Sequence, residues 1–408
     1  MQPLPASRQD NRLADHWICK RDLSVLNTEH LIHAAREETG LTDFRGDDFL
    51  EPLERLVDAL NTEARLNDFG RFRAQMTINA GLCSHLEIVQ YLKDHPEVLD
   101  EKIVTPVFIV GLPRTGTTAL HHMLNQDSEN LTLRLWAAQN PVPPPETATY
   151  KTDPRIAQRR EGVALTETYL PGFMATHLLE AEEPDECYML LNRNFMSVEY
   201  SAMFHIPRYA NWLYDNLCSR DSYAWHKLQL QLLQSRHKGL WVLKAPFHQL
   251  GLAEILKYYP DAIIVQTHRA PMTIVASGCS FSEVLRKSGS DHIDREEIGR
   301  DWMDMLRIYT RTFEAQRAQL ESQHPGQFLD LQHDDFVADP WPAIEKIYQL
   351  RGEALSAAGR SAMSQWLADH PRGKHGKHEY CLQDYGISRV QVEEMFAEYT
   401  RRYGLEMD

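Results

Sequence analysis

"TPVFIVGLPRTGTTALHHMLNQ", residues 105–126, runs from a short apolar stretch through a glycine loop into helix-compatible residues. Thr105 to Val110 read as a buried strand, so the loop Gly111 to Thr118 lies between strand and helix. In that position backbone N–H groups and a helix N-terminus point at a common spot and favour an anion. Gly111 and Gly116 keep the spacing of the nucleotide-binding pattern G-x-x-x-x-G-K-[ST], and Thr118 keeps its hydroxyl. Thr117, however, stands where that pattern has the lysine that reaches the terminal phosphates, and a cation comes earlier, at Arg114. The loop is built for an anion other than a Mg²⁺-bound triphosphate.

Working outward, "LWVLK" (Leu240 to Lys244) and "AIIVQTHR" (Ala262 to Arg269) are further buried-strand candidates, with "HQLGLAEILKYYP" between them as a crossover helix. "QFLDL" (Gln327 to Leu331) follows a long amphipathic helix in which Trp302, Leu306, Tyr309 and Phe313 share one face. Strand and helix alternating at this spacing predict an α/β fold: a P-loop-like, mostly parallel sheet covered by helices. Residues 1–100 read as a helical N-terminal segment, with Leu50, Leu53, Leu56, Val57 and Leu60 recurring at three and four. Residues 101–408 form the α/β domain. About 120 residues separate the loop from "LWVLK", too many for one crossover. They predict a helical insertion over about 141–238, opening at the "PVPPP" break and shaping a substrate pocket over the sheet's C-terminal edge.

Composition narrows the function. The chain carries 43 Lys and Arg against 58 Asp and Glu, a formal charge of −15, so no broad positive field gathers nucleic acid. Any anion site is local. The six cysteines lie far apart without a CxxC pair or metal-ligand spacing, which fits a reducing compartment and predicts no metal. The N-terminus lacks the apolar core of a signal peptide, and no apolar run approaches the roughly 20 residues of a membrane span. The expectation is a cytoplasmic protein.

Within the loop, Thr115, Thr117 and Thr118 add hydroxyl donors, Arg114 adds a planar fork suited to phosphate or sulfate oxygens, and Pro113 shapes the turn. These residues resemble the 5′-phosphosulfate loop of sulfotransferases that use 3′-phosphoadenosine 5′-phosphosulfate (PAPS). The resemblance implies that Arg114 holds the 5′-phosphate and the charge developing there as the sulfuryl group leaves, with no metal. It extends to "THRAPMTIVASGCSF", where Arg269 and Ser277, eight positions apart, match the pair that clamps the 3′-phosphate. "QFLDLQHDDFVADPWPAIEKIYQL" is similar to the family's next strand and turn, with His333 where a tyrosine that contacts adenine is frequent. "HPRGKHGKHEY" supplies Arg372, Gly373, Lys374, Gly376 and Lys377, resembling the loop that closes on the nucleotide. The wording is closest to a bacterial branch with an extended helical N-terminus.

The same resemblance makes Lys244, at the end of "LWVLK", the lysine that neutralises the transferring group or leaving oxygen. The base is open among three residues. His248 is the first imidazole beyond that lysine, Pro246 standing where the best-known branch has its histidine. Glu183 and Glu186 in "LLEAEEPDECYMLL" lie at an acidic-to-apolar junction where burial raises a carboxylate's pKa. His248 ranks first, Glu186 next, then Glu183; His121 is a pocket candidate by its i,i+3 spacing from Thr118. The expected activity is sulfuryl transfer from PAPS to a hydroxyl or amine of a small organic acceptor. A P-loop kinase or triphosphatase and a non-catalytic adenosine-bisphosphate-binding protein are the alternatives, and self-association is left open.

Overall fold

The structure is a computed structural model that describes residues 25–176, 179–218, 220–370 and 381–408. Five strands, β1 (Val107–Gly111), β2 (Asn130–Leu131), β3 (Leu240–Lys244), β4 (Ile263–His268) and β5 (Phe328–Gln332), form one sheet in the order β2-β3-β1-β4-β5. Every pairing is parallel. Residues of β1 are buried throughout, as the uninterrupted run Val-Phe-Ile-Val requires for a central strand covered on both faces. Because β1 has β3 on one side and β4 on the other, the chain leaves it in opposite directions. That divergence opens a crevice beyond the carboxyl ends of the strands. Register then places Ile109 opposite Lys244 and Gly111 opposite Thr267, so the loop, Lys244 and Arg269 emerge at the same edge.

Among the described residues three α-helices precede the sheet: α1 (Thr28–Thr39), α2 (Leu50–Thr62) and α3 (Asp68–Asp94). In α2 the buried face carries Leu53, Leu56, Val57 and Leu60, the positions the periodicity picks out. Asn67 caps α3, its side chain accepting from the Gly70 amide. After the glycine loop comes α4 (Thr117–Leu124); α5 (Pro154–Tyr169) and α6 (Ser222–Gln234) frame a run of short helices between β2 and β3. Helix α7 (Pro271–Lys287) follows β4, with Pro271 in its first turn where a missing N–H is harmless. Helix α8 (Arg295–Leu320) buries Trp302, Leu306, Tyr309 and Phe313, and α9 (Arg389–Tyr403) closes the fold with a Ser388–Gln391 capping box.

One local expectation is corrected. The segment after β3 does not enter a helix directly: Pro246–Leu250 form a 3₁₀ turn, and the crossover helix covers only Leu252–Tyr258. Gly251 between them sits against the Tyr223 ring, which leaves no room for a side chain on a continuous helix. No helix among the described residues is long and apolar enough to cross a membrane.

Candidate active site

The loop after β1 turns through three residues of positive φ: Gly111 at 149°, Arg114 at 74° and Gly116 at 89°. A Cβ on Gly111 would lie 2.4 Å from Thr267 Oγ1, and one on Gly116 would lie 2.7 Å from a ring carbon of His333. Both glycines are therefore required by space as well as by backbone. Arg114 tolerates the left-handed conformation at a cost of roughly 1–2 kcal/mol. In return its side chain leaves the loop toward α7, where Nε donates to Ser277 Oγ at 3.0 Å. Arg269, just past the end of β4, donates from Nη1 to the Arg114 carbonyl at 2.9 Å.

Two guanidinium groups and a hydroxyl thus meet at one end of the loop. Burial, and next to it the Arg114 charge, lower the Arg269 pKa from its ordinary value. Two cations held together at the N-terminus of a helix form a field that an anion relieves. The threonines divide the work differently from the sequence expectation. Thr115 is 1% exposed and turned inward, donating to the Leu112 carbonyl at 2.8 Å and lying 2.6 Å from Thr267 Oγ1. It holds the loop's shape, while Thr117 and Thr118 line the cavity beside it.

Lys244 ends β3 at 3% exposure, its ammonium 2.6 Å from Glu186 Oε1 and 3.4 Å from Thr118 Oγ1. Glu186 and Thr118 belong to the cavity wall, so the lysine stands directly behind it. The Glu186 segment is fixed by two hydrogen bonds from backbone amides: its own amide donates to Asp185 Oδ1 at 2.7 Å, and the Cys187 amide donates to the Lys244 carbonyl at 3.0 Å. Glu183 also lines the cavity, 3.1 Å from His122 Nδ1. Burial is the largest single influence on its carboxyl and acts upward. The hydrogen bond from His122 and the nearby positive groups outweigh it, so the pKa is lowered rather than raised as expected.

His248 is not brought to this wall. The 3₁₀ turn after β3 directs it under the sheet, fully buried, with Nδ1 2.8 Å from the Tyr223 hydroxyl and its ring edge-on to Phe108. Burial, then the neighbouring His226, holds its pKa well below the ordinary histidine value. Cys187 joins these two histidines, the three buried residues offering ligand-type atoms within 4.8 Å of one another, with the Tyr223 and Tyr259 hydroxyls on the two Nδ1 atoms. Spacing along the chain gives no hint of that grouping. His121 is likewise buried, with Nε2 3.1 Å from the Val242 carbonyl; its neighbour His122 takes the cavity position instead. His333 packs over Gly116, its Nδ1 2.8 Å from Asp334 Oδ1. Arg372, Gly373, Lys374, Gly376 and Lys377 lie outside the described residues.

The loop opens into a cavity of about 1120 Å³ whose walls include residues with no sequence signal for function. Helix α3 contributes Met76, Thr77, Ala80 and Gly81, although nothing before the glycine loop carries a motif. Tyr200, Tyr209 and Tyr223 are core, at most 1% exposed, while Tyr214 between them lines the cavity. Glu199 lies in the wall, accepting from the Asn192 side-chain amide, and burial pushes its carboxyl up to about 7.

Raising an acid's pKa in the folded state weakens the fold as pH climbs. From about 4.5 upward the unfolded chain releases this proton while the native carboxyl keeps it, and the penalty is complete above about 7. Glu199→Gln removes that penalty. The variant is expected to be more stable than the parent by about 2 kcal/mol near pH 8 and unchanged near pH 4.5, as urea unfolding at the two pH values would show.

Residues 106–356 match the family model described as "Sulfotransferase family". Among solved structures, sulfotransferase STF1 from Mycobacterium tuberculosis H37Rv is 34% identical with a TM-score of 0.81, over 92% of this chain and 100% of that one. Sulfotransferase STF9 from Mycobacterium avium is 30% identical with a TM-score of 0.85, over 94% and 98%. A curated relative, omega-hydroxy-beta-dihydromenaquinone-9 sulfotransferase Stf3 of Mycobacterium tuberculosis, is 22% identical over 312 residues, 74% of this chain and 75% of its own.

Proposed function

We propose, for a chain that belongs to the sulfotransferase family and so moves a sulfuryl group, that the donor is PAPS and the acceptor a hydroxyl or amine of a small organic molecule. The observation that carries this reading is the meeting of Arg114, Arg269 and Ser277 at one end of the glycine loop, in the same crevice as the Lys244–Glu186 pair. Thr267 and His333 pack so closely on Gly111 and Gly116 that neither position takes a side chain, which keeps the loop in a turn whose backbone N–H groups can serve an anion. The side-chain group at the end of the loop and the backbone N–H groups of the loop would give the two phosphates of one nucleotide separate sets of donors. Arg269 and Ser277 would take the 3′-phosphate; Arg114, Pro113 and Gly116 to Thr118 the 5′-phosphosulfate.

Transfer needs the acceptor oxygen, the sulfur and the leaving phosphate oxygen in line, with charge on the leaving oxygen balanced. Lys244 is the cation behind the wall at that point, and Glu186 is the base. As the acceptor oxygen bonds to sulfur and the sulfur–oxygen bond to the phosphate breaks, the acceptor's proton passes to the Glu186 carboxylate. Glu183, occupied by His122, ranks behind it, and a completely buried His248 has no path to the acceptor.

Calorimetric titration with adenosine 3′,5′-bisphosphate, against ATP with Mg²⁺, tests the donor. The bisphosphate is expected to bind at least about tenfold more tightly. Preference for ATP, or indifference to the 3′-phosphate, would sink the proposal and favour a P-loop kinase.

A further inference from the structure

Three buried side chains that sulfuryl transfer does not use come together away from the cavity. Cys187 follows Glu186, His226 belongs to α6, and His248 lies on the 3₁₀ turn after β3. Each is 0% exposed, and none lines the cavity. Cys187 Sγ and one ring nitrogen of each histidine lie within 4.8 Å of one another. Nδ1 of both rings is engaged by a tyrosine: His248 by the Tyr223 hydroxyl at 2.8 Å, His226 by the Tyr259 hydroxyl at 2.7 Å. Nε2 of both rings has no hydrogen-bond partner among the described residues. Fully buried nitrogens in that condition are rare, because nothing offsets the loss of their hydration.

A ligand of the right kind explains both halves of this arrangement. An imidazole that binds a metal through one nitrogen donates from the other to an oxygen, which fixes its tautomer and orientation. The two tyrosine oxygens serve in that way when Nδ1–H donates to them, and the Nε2 lone pairs are then the ones left to bind. Donors bonded to one ion at roughly 2.0–2.3 Å stand about 3.3–4.0 Å apart, so a spacing of at most 4.8 Å closes with shifts below about 1 Å. The donor types select the ion. One sulfur and two imidazole nitrogens without a carboxylate suit thiophilic Zn²⁺ or Cu⁺, whereas Ca²⁺ and Mg²⁺ take oxygen. Glu186, the carboxylate next in sequence, is bound to Lys244 instead.

We propose that Cys187, His226 and His248 bind one Zn²⁺ or Cu⁺ ion through a thiolate and two Nε2 atoms, in a structural site. As the sulfur–metal bond forms, the Cys187 thiol proton leaves to solvent; no electron moves, since copper enters as Cu⁺. The ion ties three parts of the chain together. Through the Cys187 amide, which donates to the Lys244 carbonyl at 3.0 Å, and through the turn that follows Lys244, it braces the segments carrying Glu186 and Lys244 against α6. The site stands independently of the donor and the acceptor.

Because the site is enclosed, the ion is acquired as the chain folds, and the test loads it there. The full chain is produced in medium supplemented with zinc or, separately, with copper. It is then reduced, dialysed against EDTA or bathocuproine disulfonate to strip surface-bound ions, and assayed for metal by mass spectrometry. About one ion per chain is expected with at least one metal, and the two arms identify which. Cys187→Ser and His226→Gln are each expected to retain at least about tenfold less. X-ray absorption on the loaded parent needs no variant to fold. It is expected to show one sulfur at about 2.3 Å and two nitrogens at about 2.0 Å from zinc, or the same donor set around copper. Less than about a tenth of an ion per chain with both metals, an ion that both variants keep, or a coordination shell without sulfur overturns the proposal.

Discussion

Lys244→Ala is expected to lower kcat by about 10²–10³-fold while changing adenosine 3′,5′-bisphosphate affinity by less than about tenfold. The ammonium is almost wholly enclosed, at 3% side-chain exposure, and is oriented by Glu186 and Thr118. A positive group held in place before reaction stabilises charge on a leaving oxygen without reorganising, which is why its loss falls on turnover. The partner variant separates the two roles. Glu186→Gln keeps a hydrogen-bond acceptor for Lys244 but removes the base, so its rate is expected to fall by about 10²-fold or more. Because the two side chains act as a pair, the double variant should be little worse than the worse single one. Initial rates of ³⁵S transfer across pH measure all of this. A Lys244→Ala enzyme within tenfold of the parent would remove the lysine from the chemistry.

Arg269→Ala should weaken adenosine 3′,5′-bisphosphate by about 10²-fold and leave AMP binding nearly unchanged. The guanidinium is only partly exposed and is held by the Arg114 carbonyl, so its entropy is spent before the ligand arrives. Ser277→Ala has a smaller expected effect, about tenfold, because a neutral hydroxyl is a weaker partner than a cation. It has a second consequence: the Arg114 side chain loses the oxygen that accepts from its Nε at 3.0 Å. Calorimetry with both nucleotides on both variants separates the contributions. Equal losses for AMP and the bisphosphate would place Arg269 away from the 3′-phosphate.

Short-range chemistry explains how much was legible in advance. A buried parallel strand must be apolar along its whole length, so Val107 to Val110, Leu240 to Leu243 and Ile263 to Val265 declare themselves without neighbours. The turn after β1 has to contain glycine at 111 and 116, because no side chain fits either place. The strands and the glycine loop were therefore readable as local patterns, whereas Lys244 and the Arg269–Ser277 pair were picked out by the family resemblance.

The choice among His248, Glu183 and Glu186 was not. All three lie within a few residues of a plausible position, and what separates them is direction. A 3₁₀ turn rotates His248 under Phe108, His122 occupies Glu183, and the Cys187 amide on the Lys244 carbonyl sets Glu186 beside the lysine. The cavity beside the loop is hidden for the same reason. Helix α3 looks like any amphipathic helix in sequence and becomes a wall only when packed across from α7 and α8. Sequence alone determined the strands, the glycine loop and the residue types that suit an anion, since backbone sterics and burial act over a few residues. Tertiary structure alone decided which carboxylate meets the lysine and what walls the cavity beside the loop, because those depend on contacts between segments that the chain keeps far apart.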